Sequence, residues 1–529
     1  MSIIVNSLSY THQDKEILFE NINFSVSKGE KAALVGNNGA GKSTLLQIIA
    51  GHLQKLQGEI ALSATPYYVP QHLGQYDNCS VAQALRIAEK LDALHAILSG
   101  NVSAENFARL DDNWDIEEKT QAAFSLWKLQ HLQLSQPMKS LSGGEKTKVF
   151  LAGISIYSPS IILLDEPSNH LDMESRDTLY ELIKRSNATI LVVSHDRTLL
   201  NLLPITLELS KQKIEVYGGN YDFYVNQKTI EKNALNQDIK TKEKALRKAK
   251  ETERETLERK QKADARGKKK QEKAGLPKIL MDGLKNNAEK STSRLKNIHV
   301  EKINELSQDI NQLRKELPDK DKMKIAFENS ELHKQKIIVK ANNINFGYNG
   351  NLLWKNLLSF VITSGERIVI KGNNGSGKTT LIKIILGELN PQAGSIERAA
   401  AKTVYIDQSY SLVDNSLTVY QQAEKFNSSA MLEHEIKIRL TRFLFTGGYW
   451  DKPCQTLSGG ERMRLLLCCL TISRQTPDII ILDEPTNNLD IQNIEILTAA
   501  VNEYQGTLIV VSHDLYFLKE ISAERCIKL

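Results

Sequence analysis

Short apolar runs alternate with glycine-rich or charged stretches along most of this chain, and only the middle departs from that rhythm. Residues 31–35 and 367–370 are apolar-rich segments running up to a glycine. Each is followed by a helical pattern, Leu-Leu-Gln-Ile-Ile-Ala at 45–50 and Leu-Ile-Lys-Ile-Ile-Leu at 381–386. Residues 161–164 and 479–482 are unbroken Ile and Leu, and both end in Asp-Glu. Short strands that are apolar on both faces, interleaved with helices, predict an α/β fold. From about 222 to 336 aromatic residues almost vanish and Lys, Glu and Arg crowd in at helical spacing. Two long helices are predicted there, 222–272 and 283–316, joined by a loop at 274–282. Pro277 cannot continue a helix and pushes Leu276 extended. At 1.5 Å per residue the first helix would reach about 75 Å.

The chain also repeats itself. Gly36-Asn37-Asn38-Gly39-Ala40-Gly41-Lys42-Ser43-Thr44 returns as Gly372-Asn373-Asn374-Gly375-Ser376-Gly377-Lys378-Thr379-Thr380, an offset of 336. LSGGE at 141–145 returns at 457–461, an offset of 316. LLDEPSNHLD at 163–172 returns as ILDEPTNNLD at 481–490, and VVSHD at 192–196 returns at 510–514, both offset by 318. The first copy therefore carries about 20 extra residues between its first two motifs, within about 80–134. The repeat divides the chain into a first domain at 1–221, a helical connector at 222–336 with its tip near 274–282, and a second domain at 337–529. A length of 529 residues calls for more than one core in any case.

Charge changes the picture of the connector. The whole chain carries a formal +5, yet residues 231–300 hold 21 Lys and Arg against 11 Asp and Glu, a local net of +10. Such a stretch favours a phosphate backbone, although a solvated spacer is the plainer reading of a charge run. Ile279, Leu280 and Met281 at the expected tip invite contact with exposed bases. Five cysteines form no CxxC pair, and Cys468 and Cys469 sit in an apolar run that predicts buried thiols, as in a reducing cytosol. No apolar run approaches the ~20 residues of a bilayer span, and the first ten residues do not read as a secretory signal. The expectation is a soluble, cytoplasmic protein that is not itself a pore.

The candidate chemistry follows from the repeats. GxxxxGK[ST] between a strand and a helix is a phosphate-binding loop. Its glycines (Gly36, Gly39, Gly41; Gly372, Gly375, Gly377) let backbone amides converge on phosphate oxygens at a helix N-terminus. Lys42 and Lys378 supply a point charge, and Ser43 and Thr379 a hydroxyl for Mg²⁺. Asp165 and Asp483, at the ends of buried strands, are expected to hold Mg²⁺ directly or through its water shell. Glu166 and Glu484 are placed to orient the attacking water. His195 and His513, one strand later, should face the γ-phosphate. Gln71 and Gln408 end apolar segments and could touch Mg²⁺ or the water.

Taken in order and twice over, these motifs resemble the ATP-binding cassette superfamily, whose marker is LSGG. Ser142, Gly143 and Gly144, and Ser458, Gly459 and Gly460, match that signature. The resemblance implies two P-loop NTPase cassettes in tandem, joined by a long α-helical hairpin, hydrolysing ATP with Mg²⁺ at two competent sites. It also implies that each signature caps the nucleotide held by the other copy. One site would join Lys42, Asp165, Glu166 and His195 to Ser458 and Gly460. The other would join Lys378, Asp483, Glu484 and His513 to Ser142 and Gly144. An aromatic stacks on adenine in this superfamily. Tyr348 fits in the second copy; in the first, His12 stands at the aligned place with Tyr10 nearby.

Within the superfamily the chain is similar to the ATP-binding cassette F family. EPSNHLD and EPTNNLD, two cassettes without membrane spans, the charged helical connector and Tyr217-Gly218-Gly219-Asn220-Tyr221 before it carry that likeness. The likeness implies a monomer working on the ribosome, with rRNA and tRNA as partners, its connector directed toward the P-site tRNA and the peptidyl-transferase centre. The extra residues of the first copy correspond to that family's arm. The implied role is tuning translation or protecting ribosomes from an antibiotic. A transporter subunit with a separate membrane partner, or a DNA-repair ATPase, is the alternative reading.

Overall fold

The computed structural model describes residues 2–11, 17–54, 57–210, 213–273, 278–316, 335–348, 351–473, 476–487, 489–523 and 525–529. The described residues form two compact units, the two cassettes making one and the helical pair the other.

In the first cassette a six-stranded sheet has the order Tyr67–Val69, Ile161–Asp165, Thr189–Val193, Lys31–Val35, Ile205–Leu209, Ile214–Tyr217. The first five strands are parallel, as four- and five-residue apolar runs demand, and Ile161–Asp165 and Thr189–Val193 are buried along their whole length. A separate antiparallel sheet (Ile17–Val26, Ile3–Thr11, Gln57–Leu62) lies beside it. Between the two sheets the helix Lys42–Ile49 buries Leu45, Leu46, Ile48 and Ile49, so the residues after the phosphate-binding loop are anchored in the core.

The second cassette repeats the plan with a five-stranded parallel sheet, ordered Thr403–Ile406, Ile479–Asp483, Thr507–Val511, Arg367–Lys371, Arg525–Lys528. Its antiparallel sheet is Leu358–Thr363, Ile337–Asn345, Ala393–Arg398. In both cassettes the P-loop strand sits centrally, between the strand carrying the Ser-His-Asp motif and the last parallel strand. The carboxyl ends of three neighbouring strands thus open at one place, which is where such sheets bind ligands.

Each signature serine is a helix N-cap. Ser142 starts Gly143–Tyr157 and Ser458 starts Gly459–Ile472, each in a capping box with the glutamate three residues on (Glu145, Glu461). The extra residues of the first cassette form the helices Ala88–Leu98 and Ala104–Leu110 ahead of Ile116–Leu126. The second cassette passes from Val419–Lys425 directly to Glu433–Arg442. Cys454, Cys468 and Cys469 are free and buried.

The helical pair comprises Tyr221–Lys273 and Lys278–Glu316. Ion pairs Lys242–Asp309 and Arg314–Glu243 join the two, with Ile239 and Ile310 buried beside them. The expected loop at 274–282 is shorter than the sequence suggested, because 278–282 are already helical. Helix-forming Lys278, Ile279, Leu280 and Met281 start the second helix at once, and Gly283 is absorbed at a cost of about 1 kcal/mol. Residues 274–277 lie outside those described. Among the described residues no helix is long and apolar enough to cross a membrane.

Candidate functional site

The P-loops need backbone that only glycine adopts cheaply. Gly41 (φ 94°) and Gly377 (φ 89°) begin the two P-loop helices in the left-handed region. A Cβ on Gly41 would come within 2.5 Å of Leu18. Each P-loop lysine folds back over its loop. Lys42 Nζ donates to the carbonyls of Gly36 (2.8 Å) and Asn37 (3.2 Å), and Lys378 Nζ to those of Gly372 (2.8 Å) and Asn373 (3.1 Å). Burial lowers the pKa of both lysines, opposed by the carboxylates around them.

Ser43 Oγ donates to Asp165 Oδ1 at 3.0 Å, and Thr379 Oγ1 lies 3.4 Å from Asp483 Oδ2. Each hydroxyl–carboxylate pair is a set of hard oxygen donors that suits Mg²⁺. Gln71 and Gln408 line the same cavities as these hydroxyls. Two tyrosines that the sequence reading passed over complete the arrangement. Tyr68 and Tyr405 hydroxyls donate to Asp165 Oδ2 (3.3 Å) and Asp483 Oδ2 (3.0 Å). The available signal was their place, three residues before each glutamine in the repeated YYVPQ and VYIDQ segments.

Glu166 and Glu484 are both held in the left-handed region (φ 52° and 50°), a conformation that costs a non-glycine residue about 1–3 kcal/mol. Each amide is pinned to the neighbouring strand, Glu166 N to Val193 O and Glu484 N to Val511 O, both at 2.8 Å. His195 Nε2 lies 3.3 Å from Glu166 Oε1, and His513 Nε2 lies 3.2 Å from Glu484 Oε1. Burial pushes the two glutamates up to about 8 and about 7. It pushes the two histidines down to about 3 and about 4, so both imidazoles are neutral. His195 Nδ1 and Glu484 Oε2 are buried with no hydrogen-bond partner among the described residues, while Glu166 Oε1 and His513 Nε2 have only the histidine–glutamate contact, too poorly aligned for a hydrogen bond. One orphaned polar atom at each site marks where a polar ligand belongs.

A cavity of about 830 Å³ joins the two cassettes. Lys378, Thr379, Asp483, Glu484 and His513 line it from the second, and Ser142, Gly143, Gly144, His170 and Asp172 from the first. Tyr348 is at its wall, its hydroxyl 3.4 Å from Thr380 Oγ1. Asn38, Gly39, Thr44 and Glu166 line a smaller cavity of about 320 Å³ at the first P-loop, and the Ser458-Gly459-Gly460 signature is not in that lining. Instead Asp490 and Gln492 reach the first P-loop, Gln492 Nε2 donating to Asn37 Oδ1 at 2.5 Å. Across the other site Asn374 Nδ2 donates to His170 O at 3.1 Å. Asp490 and Asp172 each act electrostatically on the opposite cassette's P-loop lysine. Both aspartates end the repeated LDEP segments, so the signal was present without a partner to assign. His12 lies outside the described residues; Tyr10 packs on Phe19 in the core of the antiparallel sheet. A further cavity of about 840 Å³ flanks the helix Met173–Arg185, but it contains none of the repeated motifs.

The ABC transporter family profile matches residues 19–169 and 355–487, once in each half. ABC transporter F family member 5 of Arabidopsis thaliana is 30% identical over 538 residues, covering 95% of this chain and 72% of that protein. The chain belongs to the ATP-binding cassette F family. ATP-binding protein Uup of Buchnera aphidicola subsp. Acyrthosiphon pisum is likewise 30% identical, over 99% of this chain and 80% of its own length. Among solved structures, archaeal ribosome recycling factor aABCE1, bound to the ribosomal stalk protein aP1, superposes with a TM-score of 0.61. That match covers 99% of this chain and 87% of the other at 20% identity, which speaks to the tandem-cassette fold alone. This ABC-F chain is an ATPase with two cassettes.

Proposed function

We propose that this ABC-F ATPase closes its cassettes on two Mg·ATP and acts on ribosomes in the cytoplasm, its connector directed at rRNA and tRNA. The observation that carries the nucleotide part is the shared cavity, where one cassette's P-loop faces the other's signature. In this reading Lys42 and Lys378 balance the β- and γ-phosphates. The amides of Gly39, Gly41, Gly375 and Gly377 surround the phosphate oxygens, and Tyr348 stacks on one adenine. Ser43 with Asp165, and Thr379 with Asp483, hold Mg²⁺, aided by Gln71 and Gln408. When bound, that ion neutralises charge on the β- and γ-oxygens. Glu166 and Glu484 orient a water and take its proton as the water oxygen bonds to the γ-phosphorus and the bond to the β-phosphate oxygen breaks. His195 and His513 donate to the γ-phosphate, and the glycine amides behind Ser142 and Ser458 approach it from the opposite side.

The ribosomal part is supported by the basic connector and by family membership. Replacing Lys268, Lys269, Lys270, Lys273 and Lys278 by glutamine should weaken co-sedimentation with ribosomes at least about tenfold and flatten its salt dependence. Shortening Ile279, Leu280 and Met281 should spare binding and remove the effect on translation or drug tolerance. Basal ATPase should survive both changes. Binding and translation unaltered by either set, across a salt series, would leave the connector a plain spacer.

A further inference from the structure

One buried arginine breaks the symmetry of the cassette pair. Arg176, on the helix Met173–Arg185, is 9% exposed and reaches three places. Its Nε donates to Leu171 O at 3.2 Å within its own cassette. Its Nη1 lies 3.6 Å from Asp196 Oδ2, the carboxylate that follows His195. The same Nη1 lies 3.5 Å from the main-chain carbonyl of His513, in the other cassette. That length is the outer limit of a hydrogen bond, as is common before a ligand tightens a site. Arg176 therefore links the loop behind one histidine to the backbone of the other.

The repeat offset of 318 puts Ile494 where Arg176 would be mirrored, and Ile494 is packed in the second cassette's core. Tyr180, whose hydroxyl donates to Asp196 Oδ2 at 2.5 Å, is mirrored by Thr498, whose hydroxyl donates to Ile494 O within its own helix. Arg197, paired with Glu520 and Glu495 of the second cassette, is mirrored by Leu515. Among the described residues, the arginine contacts on this side of the interface, from Arg176 and Arg197, leave from the first cassette.

We propose that Arg176 is a positioning residue for the second ATP site, holding the His513 loop by its main-chain carbonyl and tying it to Asp196 beside the first site. The two sites are then unequal by construction. Loss of Arg176 leaves Asp196 with Tyr180 and with the amides of Thr198 and Leu199 that it caps, whereas the His513 carbonyl loses its contact across the interface. An apolar mirror residue offers the first site no such tie to lose.

The inference rests on the assignment of Glu166 and Glu484, and single-glutamine backgrounds separate the sites. With Glu166→Gln only the second site turns over, and with Glu484→Gln only the first. Adding Arg176→Ile should lower kcat about tenfold in the first background, with KM for ATP nearly unchanged, and less than about twofold in the second. Arg176→Lys, which keeps a cationic donor, should recover part of the loss, and melting temperature reports whether each variant is folded. Equal losses in both backgrounds, or none in either, would overturn the proposal. If Arg176→Ile does not fold, Arg176→Lys carries the test alone, and an equal effect in both backgrounds overturns the proposal in the same way. Turnover persisting in the double glutamine variant would instead defeat the glutamate assignment.

Discussion

ATP turnover should fall by about 10²–10⁴-fold when Glu166 and Glu484 are both changed to glutamine, while ATP binding is retained. The amide preserves the shape of the carboxyl but cannot take a proton. Both glutamates sit where the chain has bent into a left-handed conformation, and their amides are fixed to the adjacent strand. The side chain is therefore delivered to one spot and the substitution moves little else. Both glutamates act on the P-loop lysines only through charge, while Lys42 and Lys378 are held by main-chain carbonyls of their own loops, so the lysines should stay in place to bind phosphate. Nucleotide-loaded, closed protein should then accumulate on ribosomes. Single-turnover hydrolysis beside equilibrium binding of a fluorescent ATP analogue separates the two effects. Wild-type turnover in the double variant would refute the assignment of these glutamates.

Ser142→Arg should disable the site built on Lys378 by about 10²-fold and leave the Lys42 site working. Ser142 lines the cavity opposite Lys378, and a long cation there competes for the space and the charge of a nucleotide. The change also removes the N-cap of Gly143–Tyr157, which costs about 1 kcal/mol. Ser142→Ala removes the cap without filling the cavity, so comparing the two separates stability from obstruction. Turnover measured in the Glu166→Gln and Glu484→Gln backgrounds reads each site alone. Loss confined to the Lys42 site would overturn the crossed arrangement.

Much of the molecule could be read from local pattern, for definite reasons. Strands such as Lys31–Val35 and Ile161–Asp165 are apolar on both faces and end in motif residues, so sequence betrays both the strand and its terminus. The P-loop glycines declare a backbone that other residues resist. What escaped reading were relations between distant segments. The repeated place of Tyr68 before Gln71 marked it as a candidate but did not name Asp165, 97 residues away, as its partner. Asp172 and Asp490 were visible in the repeat and cap their own helices, yet the P-loop lysines they act on lie in the opposite cassette. Arg176 looks like an ordinary charge on an amphipathic helix until the interface buries it. The start of the second connector helix was missed because Pro277 forbids continuation of one helix but says nothing against the next beginning immediately.

Each of the two larger sheets draws all its described strands from one half of the chain, residues 31–217 or 367–528. About 150 residues separate the last strand of one from the P-loop strand of the other, most of them in the two connector helices. During synthesis at about 5–20 residues per second, that stretch takes about 8–30 s to emerge. Repeated domains are prone to exchanging strands with their look-alikes while both are unfolded. Here the delay lets the first cassette complete its sheet before any competing strand exists.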